Sequence, residues 1–330
     1  MREFDYHRAS DASGAVALLG DDPDARYLAG GTNLVDLMKS GVERPGRLVD
    51  VRELPLDRIE SAPDGGLRIG ATVTNSDLAA HPDVRNRYPM LTQAVLAGAS
   101  GQLRNMATVG GNLLQRTRCA YFTDTTKPCN KRAPGSGCPA ISGKHHNHAV
   151  LGASETCVAV HPSDMAVALA ALDAVVHYET ADGHGELPLD QLYLPVADTP
   201  HRETALPTGA LITGVSLPPV PVAARSRYRK VRERASYAFA IGSVAAALDI
   251  RDGAVHDARL AFGAVASRPW RARTAERTLI GAPATAETYA AAAAAELAAA
   301  RPLPHNGYKV TLMHNLTVAV LSELAEEAAL

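Results

Sequence analysis

Leu28-Ala29-Gly30-Gly31-Thr32-Asn33-Leu34 compresses a strand end, a double-glycine turn and a helix start into one short run. Glycine admits the tight turn and lets a ligand approach the backbone. The turn's N–H groups and the helix N-terminus then face a concavity suited to phosphate oxygens. Thr32 and Asn33 add side-chain hydrogen bonds. An ordinary strand-to-helix turn has the same spelling, so one such element decides little. A second follows at Ala107-Thr108-Val109-Gly110-Gly111-Asn112-Leu113, again a double glycine flanked by Thr and Asn. Two glycine turns in successive α/β units suit a ligand with two phosphates and a long body, which favours a nucleotide or a flavin. The dinucleotide fingerprint G-x-G-x-x-G is absent. Its near match, Gly135-Ser136-Gly137-Cys138-Pro139-Ala140, follows no strand and contains a proline, and it is a decoy.

Outward from the first motif, Ser10 reads as the N-cap of a helix through Leu19, Arg26–Ala29 as a strand, Leu34–Ser40 as a helix and Arg47–Asp50 as a strand. This is a small α/β unit, residues 1–55. Residues 56–220 form a second unit. It has a strand at Leu67–Ala71, helices at Asn75–Ala80, Met90–Ala97 and from Met165 with Ser163 or Asp164 as cap, and strands at Ala174–Tyr178 and Leu211–Leu217. Leu217-Pro218-Pro219-Val220-Pro221 is the clearest boundary in the chain. Residues 221–330 read as three strands (Ser226–Val231, Ile241–Ile250, Val255–Val265) and then helices at Thr274–Leu279, Thr285–Ala299 and His305–Glu327, an α+β pattern.

With 330 residues, 46% hydrophobic and 21% charged, the chain can build a sizeable core in two or three units. A net charge of −2 argues against a nucleic-acid or anionic-membrane binder. The apolar runs are alanine-rich and broken by charge, so no membrane span is expected. Met1–His7 lacks an apolar signal core, which points to the cytoplasm by the chain's own sequence.

All four cysteines lie in one loop, residues 116–157, as Cys119-x9-Cys129-x8-Cys138-x18-Cys157. A loop this long is functional or disordered, not a bland connector. Structural zinc uses closely paired C-x2-4-C knuckles, which are missing here. Four widely spaced thiolates fit a loop wrapped around an iron–sulfur cluster. The local excess of Lys127, Lys131, Arg132 and Lys144 over Asp124 and Glu155 suits an anionic cluster. Two disulfides remain the alternative. His145, His146 and His148 read as solvated loop, and Lys230, Arg232 and Arg234 as exposed strand charge.

With these elements in place, nearly the whole chain resembles the FAD-binding medium subunit of the molybdenum hydroxylases, the xanthine dehydrogenase and carbon monoxide dehydrogenase family. Ala29-Gly30-Gly31-Thr32-Asn33-Leu34 and Thr108-Val109-Gly110-Gly111-Asn112-Leu113 carry the resemblance. Cys119-Ala120-Tyr121-Phe122, Cys129-Asn130-Lys131-Arg132 and Pro134-Gly135-Ser136-Gly137-Cys138 are similar to the flavin subunit of the bacterial three-subunit aldehyde oxidoreductases, which holds an extra [4Fe-4S] cluster.

The resemblance implies an α+β fold. A two-part FAD domain of the vanillyl-alcohol-oxidase type (residues 1–220) is followed by a small C-terminal α+β domain with a three-stranded sheet. It puts the FAD pyrophosphate on Gly30-Gly31 and Gly110-Gly111, with Thr32, Asn33, Thr108 and Asn112 donating and Tyr27, Leu28, Ala29 and Leu34 alongside. It gives Asp164 the ribityl hydroxyls and brings Ile212 and Lys230 to the isoalloxazine. Gln115 stands where Thr is frequent. It implies Cys119, Cys129, Cys138 and Cys157 as the ligands of one [4Fe-4S] cluster. Because the loop is too polar for its own core, the cluster is expected to order it. The partners implied are a large molybdenum-cofactor subunit and a small subunit with two [2Fe-2S] clusters, in a heterotrimer or its dimer. A signal-bearing small subunit could carry the complex to the periplasm. The alternative is the flavin subunit of a xanthine, carbon monoxide or hydroxybenzoyl-CoA enzyme.

Overall fold

The computed structural model describes residues 1–328. Its N-terminal part is a three-stranded parallel sheet in the order Asp5–Arg8, Arg47–Asp50, Ala25–Leu28. The helix Ala12–Leu19 is capped by Asp11, whose carboxylate accepts from Gly14 N at 2.7 Å. Asp11 rather than Ser10 is therefore the N-cap, because its side chain is the one that reaches back to a free N–H of the first turn. Gly20 ends the helix at φ 58°, a conformation glycine adopts without steric cost.

The middle part is a five-stranded antiparallel sheet in the order Ile59–Ser61, Leu67–Gly70, Leu211–Leu217, Val175–Thr180, Gly183–Pro188. Its two edge strands were not expected from sequence. Ile59–Ser61 has three residues and Gly183–Pro188 six, and both are polar and largely exposed, so neither carries an apolar strand pattern. The C-terminal part is a four-stranded sheet in the order Trp270–Arg271, Ala254–Gly263, Gly242–Arg251, Ser226–Val231. Helices Arg273–Leu279, Ala286–Leu297 and Tyr308–Ala328 accompany it. The expected three strands are present, and the two-residue edge Trp270–Arg271 makes a fourth by pairing with Ala261 and Phe262.

One helix ties the middle and C-terminal parts together. Asp164–Ala171 is capped by the Ser163 hydroxyl, which accepts from Ala166 N at 2.9 Å, and every residue after Asp164 is buried. Its alanines let the C-terminal sheet come close. A Cβ on Gly263 would lie 2.6 Å from Val167 Cγ2, so only glycine fits there. This sandwich fixes the first residue of the helix, Asp164, where all three parts of the chain meet. Among the described residues no helix is long and apolar enough to cross a membrane.

Candidate functional site

The three parts enclose a cavity of about 960 Å³, at the upper end for small-molecule sites. Tyr27, Ala29, Gly30, Gly31, Thr32, Asn33 and Leu34 line it from one side. Thr108, Gly111 and Asn112 line it from another, and Asp164, Ile212 and Lys230 complete it. Leu28 does not line it. Leu28 packs beneath Gly31 instead, its Cδ1 3.5 Å from where a Cβ of that glycine would stand.

The two glycine motifs meet at this cavity but are built differently. In the first, among the described residues, the N–H groups of Gly30, Gly31, Thr32 and Asn33 donate to no protein acceptor. Gly31 has φ 70°. Asn33 Oδ1 accepts from Arg116 N at 2.9 Å, while its buried Nδ2 has no partner. Unpaired donors facing one space are what an anion requires. The second motif differs from the sequence expectation. Gly110 and Gly111 lie in the first turn of the helix Val109–Leu113. There Val109 N donates to Val73 O (3.0 Å), Gly110 N to Ala71 O (2.9 Å) and Gly111 N to Thr108 Oγ1 (3.2 Å). The second motif therefore supplies shape rather than free backbone donors.

Close packing explains the glycines further. A Cβ on Gly30 would stand 1.7 Å from Met106 O, so the first motif rests directly on the backbone leading into the second. A Cβ on Gly111 would meet only Thr108 Oγ1 at 3.1 Å and Ala29 Cβ at 3.8 Å. Asn112 Oδ1 is held by Ser163 Oγ (2.6 Å) and Gln115 Nε2 (2.8 Å), so Gln115 orients Asn112.

Across the cavity, Asp164 accepts from Lys230 Nζ at 2.7 Å and Tyr228 Oη at 2.5 Å. Burial, and then the Asp164 charge, push the Tyr228 hydroxyl well above its ordinary pKa, so it stays a donor. Lys230 also donates to Ala97 O, as does Arg232, each at 3.1 Å. The expectation of exposed strand charge fails for Lys230, which is only 3% exposed, while Arg232 is half-buried and Arg234 exposed. Tyr228 was not foreseen, although it lies two residues from Lys230 on the same strand face.

Other residues were equally hidden in the sequence. Arg116 bridges Glu43 (2.5 Å) and Glu203 (2.6 Å), and Lys131 reaches Glu203 at 3.5 Å. Burial disfavours the Glu203 carboxylate, but Arg116 and Lys131 outweigh it and hold its pKa low. Arg118 pairs with Asp36 at 2.6 Å and lies over Phe239, pinning the Glu233–Phe239 loop at the cavity rim. No local pattern announces these pairs. No His or Cys lines the cavity among the described residues. His161 instead packs edge-on to Tyr193, and burial lowers its pKa to about 4.

All four cysteines are free thiols, and all four line a second, tight cavity of about 10 Å³. Among the described residues, no three His, Cys, Asp or Glu side chains converge closely enough to hold a metal ion. Burial raises the Cys119 thiol and pushes Cys157 up to about 11.

The loop departs from expectation in two ways. It buries Phe122, Ala140, Val150 and Leu151 and hydrogen-bonds to Val265 O from both Val150 N and Leu151 N, so protein contacts already anchor it. His145 and His148 are buried rather than solvated. His148 Nε2 lies 3.2 Å from Cys119 Sγ, and burial, with Lys309 nearby, lowers the imidazole pKa to about 4.

Residues 2–220 match the family described as the FAD binding domain in molybdopterin dehydrogenase, and residues 226–324 the carbon monoxide dehydrogenase flavoprotein C-terminal domain. The chain is 50% identical to the aldehyde oxidoreductase FAD-binding subunit PaoB of Escherichia coli (strain K12), over 99% of this chain and 100% of that protein. It superposes on the carbon monoxide dehydrogenase of Hydrogenophaga pseudoflava with a TM-score of 0.76 at 26% identity, covering 97% of this chain and 96% of that one. It also superposes on quinoline 2-oxidoreductase of Pseudomonas putida 86 with a TM-score of 0.77 at 24% identity, covering 99% and 98%, a likeness of fold.

Proposed function

Because the chain belongs to the FAD-binding family of the molybdopterin dehydrogenases, we propose that it is the electron-transfer subunit of a molybdenum-dependent aldehyde oxidoreductase. In this reading residues 1–220 hold FAD, residues 221–330 complete the subunit, and Cys119, Cys129, Cys138 and Cys157 hold one [4Fe-4S] cluster. A large molybdenum-cofactor subunit oxidises the aldehyde. A small subunit with two [2Fe-2S] clusters delivers the electrons here for an external acceptor. The observation that carries the proposal is the single cavity where both glycine motifs meet beside unpaired donors. Full-length likeness to an aldehyde oxidoreductase subunit favours the aldehyde.

The residues divide the work. The free N–H groups of Gly30 to Asn33 and the Asn33 amide bind the pyrophosphate charge. The helix Val109–Leu113 shapes the opposite wall. Asp164, with two oxygens and lone pairs to spare beyond Lys230 and Tyr228, accepts from ribityl hydroxyls. Lys230 and Ile212 would lie on the ring's side of the cavity, and Arg118 with Phe239 would limit water at the rim. Bound FAD supplies the change between one-electron and two-electron transfer.

The donor set supports the cluster: four free thiols gathered around one small space, in a loop without zinc knuckles.

The test is reconstitution. The isolated chain should bind FAD and leave aldehydes untouched, and aldehyde should reduce its flavin only after both partners are added. Aldehyde turnover by the chain alone would mean a stand-alone flavoenzyme. A complex active on a purine or carbon monoxide but not on aldehydes would overturn the substrate class.

A further inference from the structure

His145 to Ala149 of the cysteine loop are gripped by His305 to Lys309 of the C-terminal part. His305 N donates to His145 Nε2 at 3.1 Å, and the two imidazoles stack with centroids 5.0 Å apart. Asn306 Nδ2 donates to His148 O (3.3 Å) and Ala149 O (3.2 Å). Lys309 Nζ donates to Asn147 O (3.2 Å), His148 O (3.1 Å) and Ala264 O (2.5 Å). Asn306 and Lys309 are fully buried. A clamp this dense, on a stretch without a ligand of its own, fixes the backbone from which one side chain reaches a cysteine sulfur. That side chain is His148, with Nε2 3.2 Å from Cys119 Sγ.

The ring's proton can be placed. His148 Nδ1 is buried and has no partner. Opposite a cluster-bound Cys119 thiolate, which can only accept, a proton on Nδ1 would leave Nε2 and sulfur facing each other as two acceptors. A proton on Nε2 satisfies the sulfur and leaves only a lone pair unpaired. We propose that His148 is a positioning residue that donates its Nε2–H to the Cys119 thiolate and thereby raises the reduction potential of the [4Fe-4S] cluster. A hydrogen bond to a ligand sulfur draws charge away from it and favours the cluster state with the extra electron. This inference rests on the cluster reading above.

The experiment is an EPR-monitored redox titration, with iron content, of the purified chain carrying wild-type His148, His148→Gln or His148→Leu. Gln offers an N–H near the same place and should keep the wild-type potential. Leu should shift the reduction equilibrium about tenfold toward the oxidised cluster, 59 mV lower for a one-electron couple, with iron content unchanged. If the Leu chain cannot be loaded, His148→Met carries the same expectation. A loaded Leu or Met chain with the wild-type potential overturns the inference alone. So does loss of iron from the Gln, Leu and Met chains together, which would make His148 a ligand. A wild-type chain without iron overturns the cluster reading itself.

Discussion

Gly30 and Gly111 sit in matching motifs, yet alanine should destabilise the apoprotein only at Gly30, while it weakens FAD binding at both. At Gly30 the added methyl would stand 1.7 Å from Met106 O and 2.5 Å from Met106 C, against an ordinary contact of 3.4 Å or more. Backbone opposes backbone, so neither side can yield by turning a side chain. Overpacking typically costs 1–3 kcal/mol, and this site belongs at the top, about 3 kcal/mol. The shift would also move the unpaired donors of residues 30–33 off their target. Losing one charge-assisted hydrogen bond to phosphate costs about 1.5–3 kcal/mol, roughly a 10- to 100-fold loss of FAD affinity. At Gly111 the methyl faces the cavity, with only Thr108 Oγ1 close at 3.1 Å. Glycine inside a helix costs about 1 kcal/mol relative to alanine, so the Gly111→Ala apoprotein should melt no lower than wild type while its FAD affinity falls at least tenfold. The assays are thermal melting of each apoprotein and flavin-fluorescence titration. A Gly30→Ala chain with wild-type melting and affinity would refute the packing argument. A Gly111→Ala chain with wild-type affinity would refute the placement of the ligand face.

Lys230→Met should leave the buried Asp164 carboxylate with Tyr228 as its remaining donor, costing roughly 3–5 kcal/mol in denaturant unfolding; Lys230→Met with Asp164→Asn should recover part of that. An Asp164→Asn chain that keeps full FAD affinity would remove Asp164 from the ribityl assignment. Burial pushes Lys309 down to about 7 from its ordinary value near 10.4. The unfolded chain then holds more protons between those pH values, so the Lys309 penalty is full below pH 7 and is relieved as pH rises through that window. Unfolding free energy should therefore climb less steeply from pH 7 to 10 in Lys309→Met than in wild type; equal slopes would contradict the burial. With no His or Cys on the cavity wall, acid denaturation should release all yellow colour into the supernatant, and colour retained on the polypeptide would mean a covalent link.

Both glycine motifs and the cysteine loop were legible because their constraints are local. Their destinations were not. Gly30 reads as a phosphate glycine, but its strictest constraint is Met106, far along the chain. The second motif spells like the first, yet Val73 and Ala71 have taken two of its backbone donors. Lys230 pairs with Asp164 across 66 positions, and no pattern along a strand announces such a partner. The edge strands Ile59–Ser61 and Gly183–Pro188 lack alternation because each covers little core. His145 and His148 look solvated in a polar loop. What buries them is the His305–Lys309 clamp, roughly 160 positions away.

The most direct test of the whole account is the cofactor content of the purified, folded chain. The expected result is one FAD and four irons per chain, with a cubane EPR signal after reduction and little zinc. A chain that binds no flavin would contradict the assignment of the main cavity. One zinc per chain, or disulfide-bonded cysteines without iron, would contradict the assignment of the loop.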